Sequence, residues 1–364
     1  MKVRAAKQEE YKEVGEMVHQ AFQHDNGFDL ERCIVEVTTT EDPNFREGDL
    51  RVAEVDGEIV SMTLIIRRQI RIGTAVVRGA FVAPVATHPK HQRRGYCSAV
   101  MRDAISYMKR QNFDMTMLWG EPWLYPKYGY SPSMAFPRLV INPERCKKVE
   151  TEPYTLEPFD EQRLKEVTTI YHNNTATRTC AEIRSPELYE WKPRSPHADF
   201  EAIVNKKGEI IGYVVFTLQN PSENVSEIGV LNDHACGAVF NRMLELVRER
   251  GIKEFFCVVP PDHPFSKFAF WKNGEQRITR SGAGMIRVLN LVSLFKKMTK
   301  EFERNLARSE FHNLTSTFSI VSEEGAAQLE ITKGEVKVNT GVTLGDCQLD
   351  IPLASLNPLV TGYK

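Results

Sequence analysis

A chain of 364 residues exceeds what one hydrophobic core organises, so two or three domains are expected. Its 47 Lys and Arg balance 48 Asp and Glu, and this excludes a global field that would attract nucleic acid or an anionic membrane. The seven cysteines are scattered without Cys-x-x-Cys spacing and the nine histidines form no ligand pattern, so reduced thiols and no metal are expected.

From the N-terminus, Met1-Lys2-Val3-Arg4 lacks the apolar core of a signal peptide, and no later run is long enough to span a bilayer; a cytoplasmic protein is the expectation. Tyr11, Val14, Met17, Val18 and Phe22 recur on one helical face over residues 8–22. A polar loop, His24 to Asp29, precedes a second short helix. Leu50 to Val55 reads as a strand, Asp56-Gly57 as a hairpin turn, and Ile59 to about Ile70 as the returning strand. After a turn near Gly73, a third strand leads to Thr87. Within it Pro84 lacks a ladder donor and belongs at an edge or a bulge. Beyond Gln92 the spacing of Val100, Ala104 and Met108 is helical. The amides of Arg93 to Ser98 are then the unpaired donors of a first helical turn. With the positive end of the helix dipole and the side chains of Arg93 and Arg94, they make an anion site suited to a diphosphate.

The run Gln92-Arg93-Arg94-Gly95-Tyr96-Cys97 resembles the acyl-CoA-binding motif of the GNAT superfamily of N-acetyltransferases, Gln/Arg-x-x-Gly-x-Gly/Ala, with Cys97 in place of the small last residue. The order of elements (helix, helix, three antiparallel strands, turn, helix) is the one this resemblance implies, with Phe113 to Trp119 as a parallel, splayed strand. The resemblance also implies acetyl-CoA as co-substrate, with pantetheine pairing along Val85, Ala86 and Thr87. The diphosphate would lie on Arg93, Arg94, Gly95, Tyr96, Cys97 and Ser98. A thiol at a helix start could instead form an acyl-cysteine; a small packing residue is the simpler reading of Cys97.

The stretch Gly120-Glu121-Pro122-Trp123-Leu124-Tyr125-Pro126-Lys127-Tyr128-Gly129-Tyr130 carries the second chemical signal. Aminolysis of a thioester needs a neutral amine and a proton for the departing thiolate. A thiol has a pKa of ~8.5 and a phenol ~10, so a hydrogen-bonded Tyr can donate readily. Tyr125 leaves the splayed strand where the thioester would lie, whereas Tyr128 and Tyr130 read as packing aromatics. With the motif before it, this stretch resembles the enhanced-intracellular-survival (Eis) branch of the superfamily. That resemblance implies an amine N-acetyltransferase, Gly120 and Glu121 beside the cofactor, Tyr125 as general acid and a homo-hexamer.

Further on, Thr151-Glu152-Pro153 and Glu157-Pro158 read as a linker and residues 160–192 as helical. Phe200 to Val204, Ile210 to Leu218 and Ser226 to Leu231 read as strands, the residues after Asp233 as a helix, and Glu254 to Val259 as a buried strand. This order echoes the first half, but the turn Leu231 to Gly237 has an acid and no Arg cluster, and would repel a diphosphate. Leu291, Leu294, Phe295 and Met298 lead into short strands and a helix over Leu353 to Val360. The fold class expected is therefore mixed α/β and α+β in three segments. Residues 1–150 form a catalytic GNAT domain, 151–285 a degenerate GNAT-like domain that walls the substrate cleft, and 286–364 a domain resembling sterol carriers.

Eis-branch relatives continue through further helix to a C-terminal carboxylate that acts as base. Here the sequence given stops at Lys364, so Glu121 or a water are the candidates. A cationic acceptor (an aminoglycoside, a polyamine-like amine or a protein lysine) should favour an acidic cleft, for which Asp25, Asp29 and Glu31 are candidate lining residues. The competing expectation is an acyl-CoA or lipid carrier without transferase activity.

Overall fold

The computed structural model describes residues 1–22, 29–187, 191, 198–218, 224–342 and 347–363. Its first elements are β1 (Lys2–Ala5), α1 (Tyr11–Ala21), α2 (Leu30–Glu41), β2 (Leu50–Val55), β3 (Glu58–Ile72), β4 (Ala75–Thr87), α3 (Tyr96–Arg110), β5 (Met115–Trp119) and β6 (Ser131–Ile141). Then come β7 (Tyr154–Pro158), α4 (Leu164–Thr175), β8 (Ala181–Ile183), β9 (Asp199–Asn205), β10 (Ile210–Phe216), β11 (Val225–Val230), α5 (Asp233–Arg250), β12 (Phe255–Cys257), α6 (Pro264–Phe270) and β13 (Glu275–Val288). The last are α7 (Leu291–Ala307), β14 (Ser316–Ser322), β15 (Gly325–Thr332), β16 (Glu335–Thr340), β17 (Cys347–Asp350) and α8 (Leu353–Thr361).

The chain divides into two compact units. One gathers Met1–Met134, Thr177–Ile183 and Ser281–Lys364; the other gathers Ala135–Ala176 and Arg184–Arg280. These cut the chain differently from the expected segments 1–150, 151–285 and 286–364. The first and last segments meet because Ile70, Val77, Met115, Ile286, Leu294 and Leu329 share a single buried core. Burial that joins distant segments leaves no local sequence signal.

In the first unit the main sheet runs β1-β2-β3-β4-β5-β13. Asp56 and Gly57, at φ +52° and +87°, make the tight β2–β3 turn. Only β4 and β5 are parallel, because α3 crosses over between them. α3 buries Val100, Met101, Ala104, Ile105 and Met108, while α1 and α2 contribute Val14, Val18 and Val35 to a core with Val52, Met62 and Leu64. A second sheet, β16-β15-β14-β17, packs under α7 and α8. Between them lies a largely apolar cavity of about 530 Å³, lined by Phe295, Phe302, Phe318, Ile331, Val336 and Leu359 among others.

In the second unit the strands follow the order β6-β12-β11-β10-β9-β7. α5 and α6 bury one face and α4 the other. Two expectations need correction here. The stretch taken for a linker contains β7, which pairs with β9 from Tyr154↔Asn205 to Pro158↔Glu201; alternate residues Tyr154 and Leu156 pack on the core. Among the described residues of 160–192, α-helix is confined to α4, and Ala181–Ile183 instead pairs with Gln69–Arg71 of β3. Tertiary pairing overrides the mixed local pattern in both places.

Candidate active site

β4 and β5 pair only at Gly79↔Met115, Ala80↔Thr116 and Phe81↔Met117, although β4 continues to Thr87. On its other side β4 stays on β3 as far as Ser61↔Thr87, with one extra β4 residue between Ile65↔Val82 and Thr63↔Val85. Pro84 sits in that bulge, as its missing N–H requires. The Ser61 hydroxyl donates to the Ala86 carbonyl at 2.8 Å and lies 2.8 Å from Thr87 Oγ1. The end of β4, containing Val85, Ala86 and Thr87, is thus fixed from one side and splayed from its partner on the other.

β4 leads through the short turn Pro89–His91 into Arg93, at φ +61°, and Gly95, at φ +85°, which is the N-cap of α3. Glycine offers no oxygen to the amides of Tyr96, Cys97 and Ser98, and no other side chain caps the helix. The space a Cβ at Gly95 would enter is open, and Arg93 and Arg94 are both exposed. An uncapped helix start with its positive dipole end free, open room and two guanidinium groups fits a diphosphate.

After β5 the loop folds back through a hydrogen bond from Leu124 N to Glu121 O (3.0 Å) and one from Tyr128 N to Tyr125 O (2.9 Å). A Cβ on Gly120 would lie 2.3 Å from Cε2 of Tyr125, so the ring needs glycine there to lie back on the strand end. Glu121 is exposed and accepts from Trp123 Nε1 at 3.2 Å. Tyr125 is 8% exposed and shares one cluster with Val82 and Val85 of β4, Cys97 and Met101 of α3, and Leu118 of β5. The fold therefore gathers Val85, Cys97 and Tyr125 from three separate motifs. Burial pushes the Tyr125 phenol well above its ordinary value, and that of Tyr130 up to about 12. Burial also raises the Cys97 thiol, which favours the packing role over a reactive thiolate.

Other participants are not foreseen by the sequence. The Tyr128 hydroxyl lies 2.8 Å from Ser98 Oγ, tying the loop to the first turn of α3, so Tyr128 is more than a packing aromatic. Asn357, 228 residues away from Gly129, donates to the Gly129 carbonyl. No spacing rule signals such a contact. Of the expected acceptor-lining acids, Asp25 lies outside the described residues. Asp29 caps α2 by accepting from Arg32 N (3.0 Å) and pairs with His19 Nδ1 (2.6 Å), so its carboxylate already has a structural task. Among the described residues there is no cluster able to hold a metal, and no helix is long and apolar enough to cross a membrane.

Residues 2–133 match the acetyltransferase (GNAT) domain family. Among curated proteins, none matches the sequence. Solved structures resemble the whole chain in fold. A probable N-acyltransferase from Enterococcus faecalis V583 is 17% identical with a TM-score of 0.74, the match covering 100% of this chain and 90% of that one. A GCN5-related N-acetyltransferase from Anabaena variabilis is 16% identical with a TM-score of 0.72, covering 99% and 89%. Eis1 from Mycobacterium abscessus is 14% identical with a TM-score of 0.65, covering 100% and 90%. The chain is therefore an acyltransferase: its residues 2–133 form a GNAT acetyltransferase domain, a fold whose co-substrate is acetyl-CoA.

Proposed function

We propose that this acyltransferase moves acetyl from acetyl-CoA to a primary amine of a cationic acceptor by direct attack of the amine on the thioester. The supporting observation is the cluster in which the splayed end of β4, the start of α3 and Tyr125 come together. In this reading Val85, Ala86 and Thr87 pair with pantetheine, and the amides of Arg93 to Ser98 hold the diphosphate. Gly120 and Glu121 flank the cofactor. The nitrogen forms its bond to the acetyl carbon as the C–S bond breaks, and its surplus proton passes to Glu121 or a water; Tyr125, kept protonated by burial, gives its proton to the leaving thiolate and recovers one from solvent. An acyl-Cys97 intermediate is not needed.

The acceptor class, an aminoglycoside, a polyamine-like amine or a lysine, rests on the resemblance to the Eis branch, as does a hexameric assembly. The same resemblance supports reading the middle segment as a second GNAT-like domain and the last as sterol-carrier-like. Mixing the protein with acetyl-CoA and each amine and following free thiol tests the proposal. Amine-dependent thiol release supports it; release at background with every amine rejects it. A second reading, a lipid or acyl-CoA carrier, draws on the apolar cavity of about 530 Å³ beneath α7 and α8. Co-purified lipid together with background thiol release would favour that alternative.

A further inference from the structure

α8 buries Leu353, Leu356, Asn357 and Val360, and among them Asn357 is a polar side chain with no exposure at all. Its amide makes three hydrogen bonds. Oδ1 accepts from Val288 N at 2.9 Å, and Nδ2 donates to the Gly129 carbonyl at 3.0 Å and to Ser131 Oγ at 2.9 Å. A second grip lies beside it: Arg287 donates from Nη1 to the Tyr128 carbonyl and from Nη2 to Glu324 Oε1 (2.6 Å), a carboxylate whose Oε2 meets Lys109. Two consecutive carbonyls of the loop, those of Tyr128 and Gly129, are therefore held by side chains from the C-terminal quarter of the sequence. A Cβ on Gly129, at φ +81°, would strike the Arg287 guanidinium at 2.6 Å and Leu353 Cδ2 at 3.0 Å, so the backbone comes right up against this wall.

We propose that Asn357 is a positioning residue for Tyr125. The inference rests on the reading of Tyr125 as the acid. Residues 125 to 128 form a single tight turn closed by Tyr128 N on Tyr125 O, so holding its far end fixes the near end. The Tyr128 phenol passes the same constraint to Ser98 at the start of α3. Asn357 thereby sets the distance between the proton donor and the helix start that would hold the diphosphate. A misplacement of ~1 Å at a reacting group can lower turnover about 100-fold, so a remote amide can act through geometry alone.

Asn357→Asp keeps the size and the acceptor for Val288 N but presents an acceptor to the Gly129 carbonyl. It should lower kcat about tenfold or more with the Kd for CoA, by calorimetry, within about twofold, and should speed hydrogen exchange of the amides of residues 127–131. Asn357→Ala carries the same test should the acid prevent folding. Thr361→Val, on the same helix as Asn357, removes the bond from Thr361 Oγ1 to the Ser133 carbonyl of β6 (2.9 Å) and should lower the melting temperature only. Unchanged kcat and exchange in folded Asn357 variants would overturn the inference. So would kcat and CoA affinity falling together with melting temperature in all three variants. If the wild type transfers acetyl to no amine, the proposed function fails by itself, and unchanged exchange at 127–131 still decides against positioning.

Discussion

Two strand-to-helix turns stand in equivalent places, each between a pair of parallel strands: β4 into α3, and β11 into α5. In the second, Asn232 caps α5 by accepting from Ala235 N at 2.9 Å, and Asp233 adds a carboxylate to the first turn. In the first, Gly95 caps nothing, Arg93 and Arg94 stand exposed, and the space a Cβ at Gly95 would enter is open. A cap stabilises a helix by about 1 kcal/mol by satisfying its own donors. A helix that forgoes the cap leaves those donors for an anion. Similar topology thus carries opposite chemistry, and the difference resides in about six residues.

The largest effect that would sharpen this contrast lies beside the first turn. Tyr125→Phe should lower kcat by about 10²- to 10⁴-fold, the usual contribution of general acid–base catalysis, with CoA affinity nearly unchanged. Full activity in that variant would transfer the acid to another group. Next, Gly95→Asp puts an acid at the cap of the first turn, one position before that of Asp233 in the second. It should weaken CoA binding about 10- to 100-fold, ~1.4–2.8 kcal/mol by calorimetry, and unchanged affinity would erase the distinction between the turns. Arg93→Ala and Arg94→Ala should each raise the KM for acetyl-CoA about threefold, an effect that fades at high salt because both side chains are exposed. Smallest for catalysis is Asn232→Ala: a loss of about 1 kcal/mol in thermal stability with CoA binding untouched.

The pH dependence sharpens the comparison further. Burial raises the Tyr125 phenol, so the folded chain keeps a proton that the unfolded chain releases near pH ~10. Its contribution to stability is complete below that value and declines as pH rises beyond it. As an acid, Tyr125 stays protonated throughout the ordinary range. The pH profile of kcat should therefore show no alkaline fall below pH ~10 from this group, and a fall near pH 8 abolished by Tyr125→Phe would contradict the raised phenol.

Local rules made the first half legible. Asp56-Gly57 marked a hairpin, Pro84 a bulge and the Val100, Ala104, Met108 spacing a helix, and each stands where expected. What escaped was set by long-range packing. β7 looked like a linker because its Glu and Pro residues hid a two-residue alternation, and β8 forms because β3 offers it an edge. The merging of the first and last segments through Ile286 and Leu294 had no local marker. At the site, the motif residues were readable because an anion turn imposes its own composition. The grip of Asn357 and Arg287 on the loop was not, since any buried amide or guanidinium would look the same in sequence.

The most direct measurement is a crystal structure of the protein with coenzyme A. The account requires the diphosphate on the amides of Tyr96 to Ser98, with pantetheine along Val85 to Thr87 and the thiol beside Tyr125. A diphosphate bound at the start of α5 instead, or a turn before α3 left bare at saturating ligand, would contradict it.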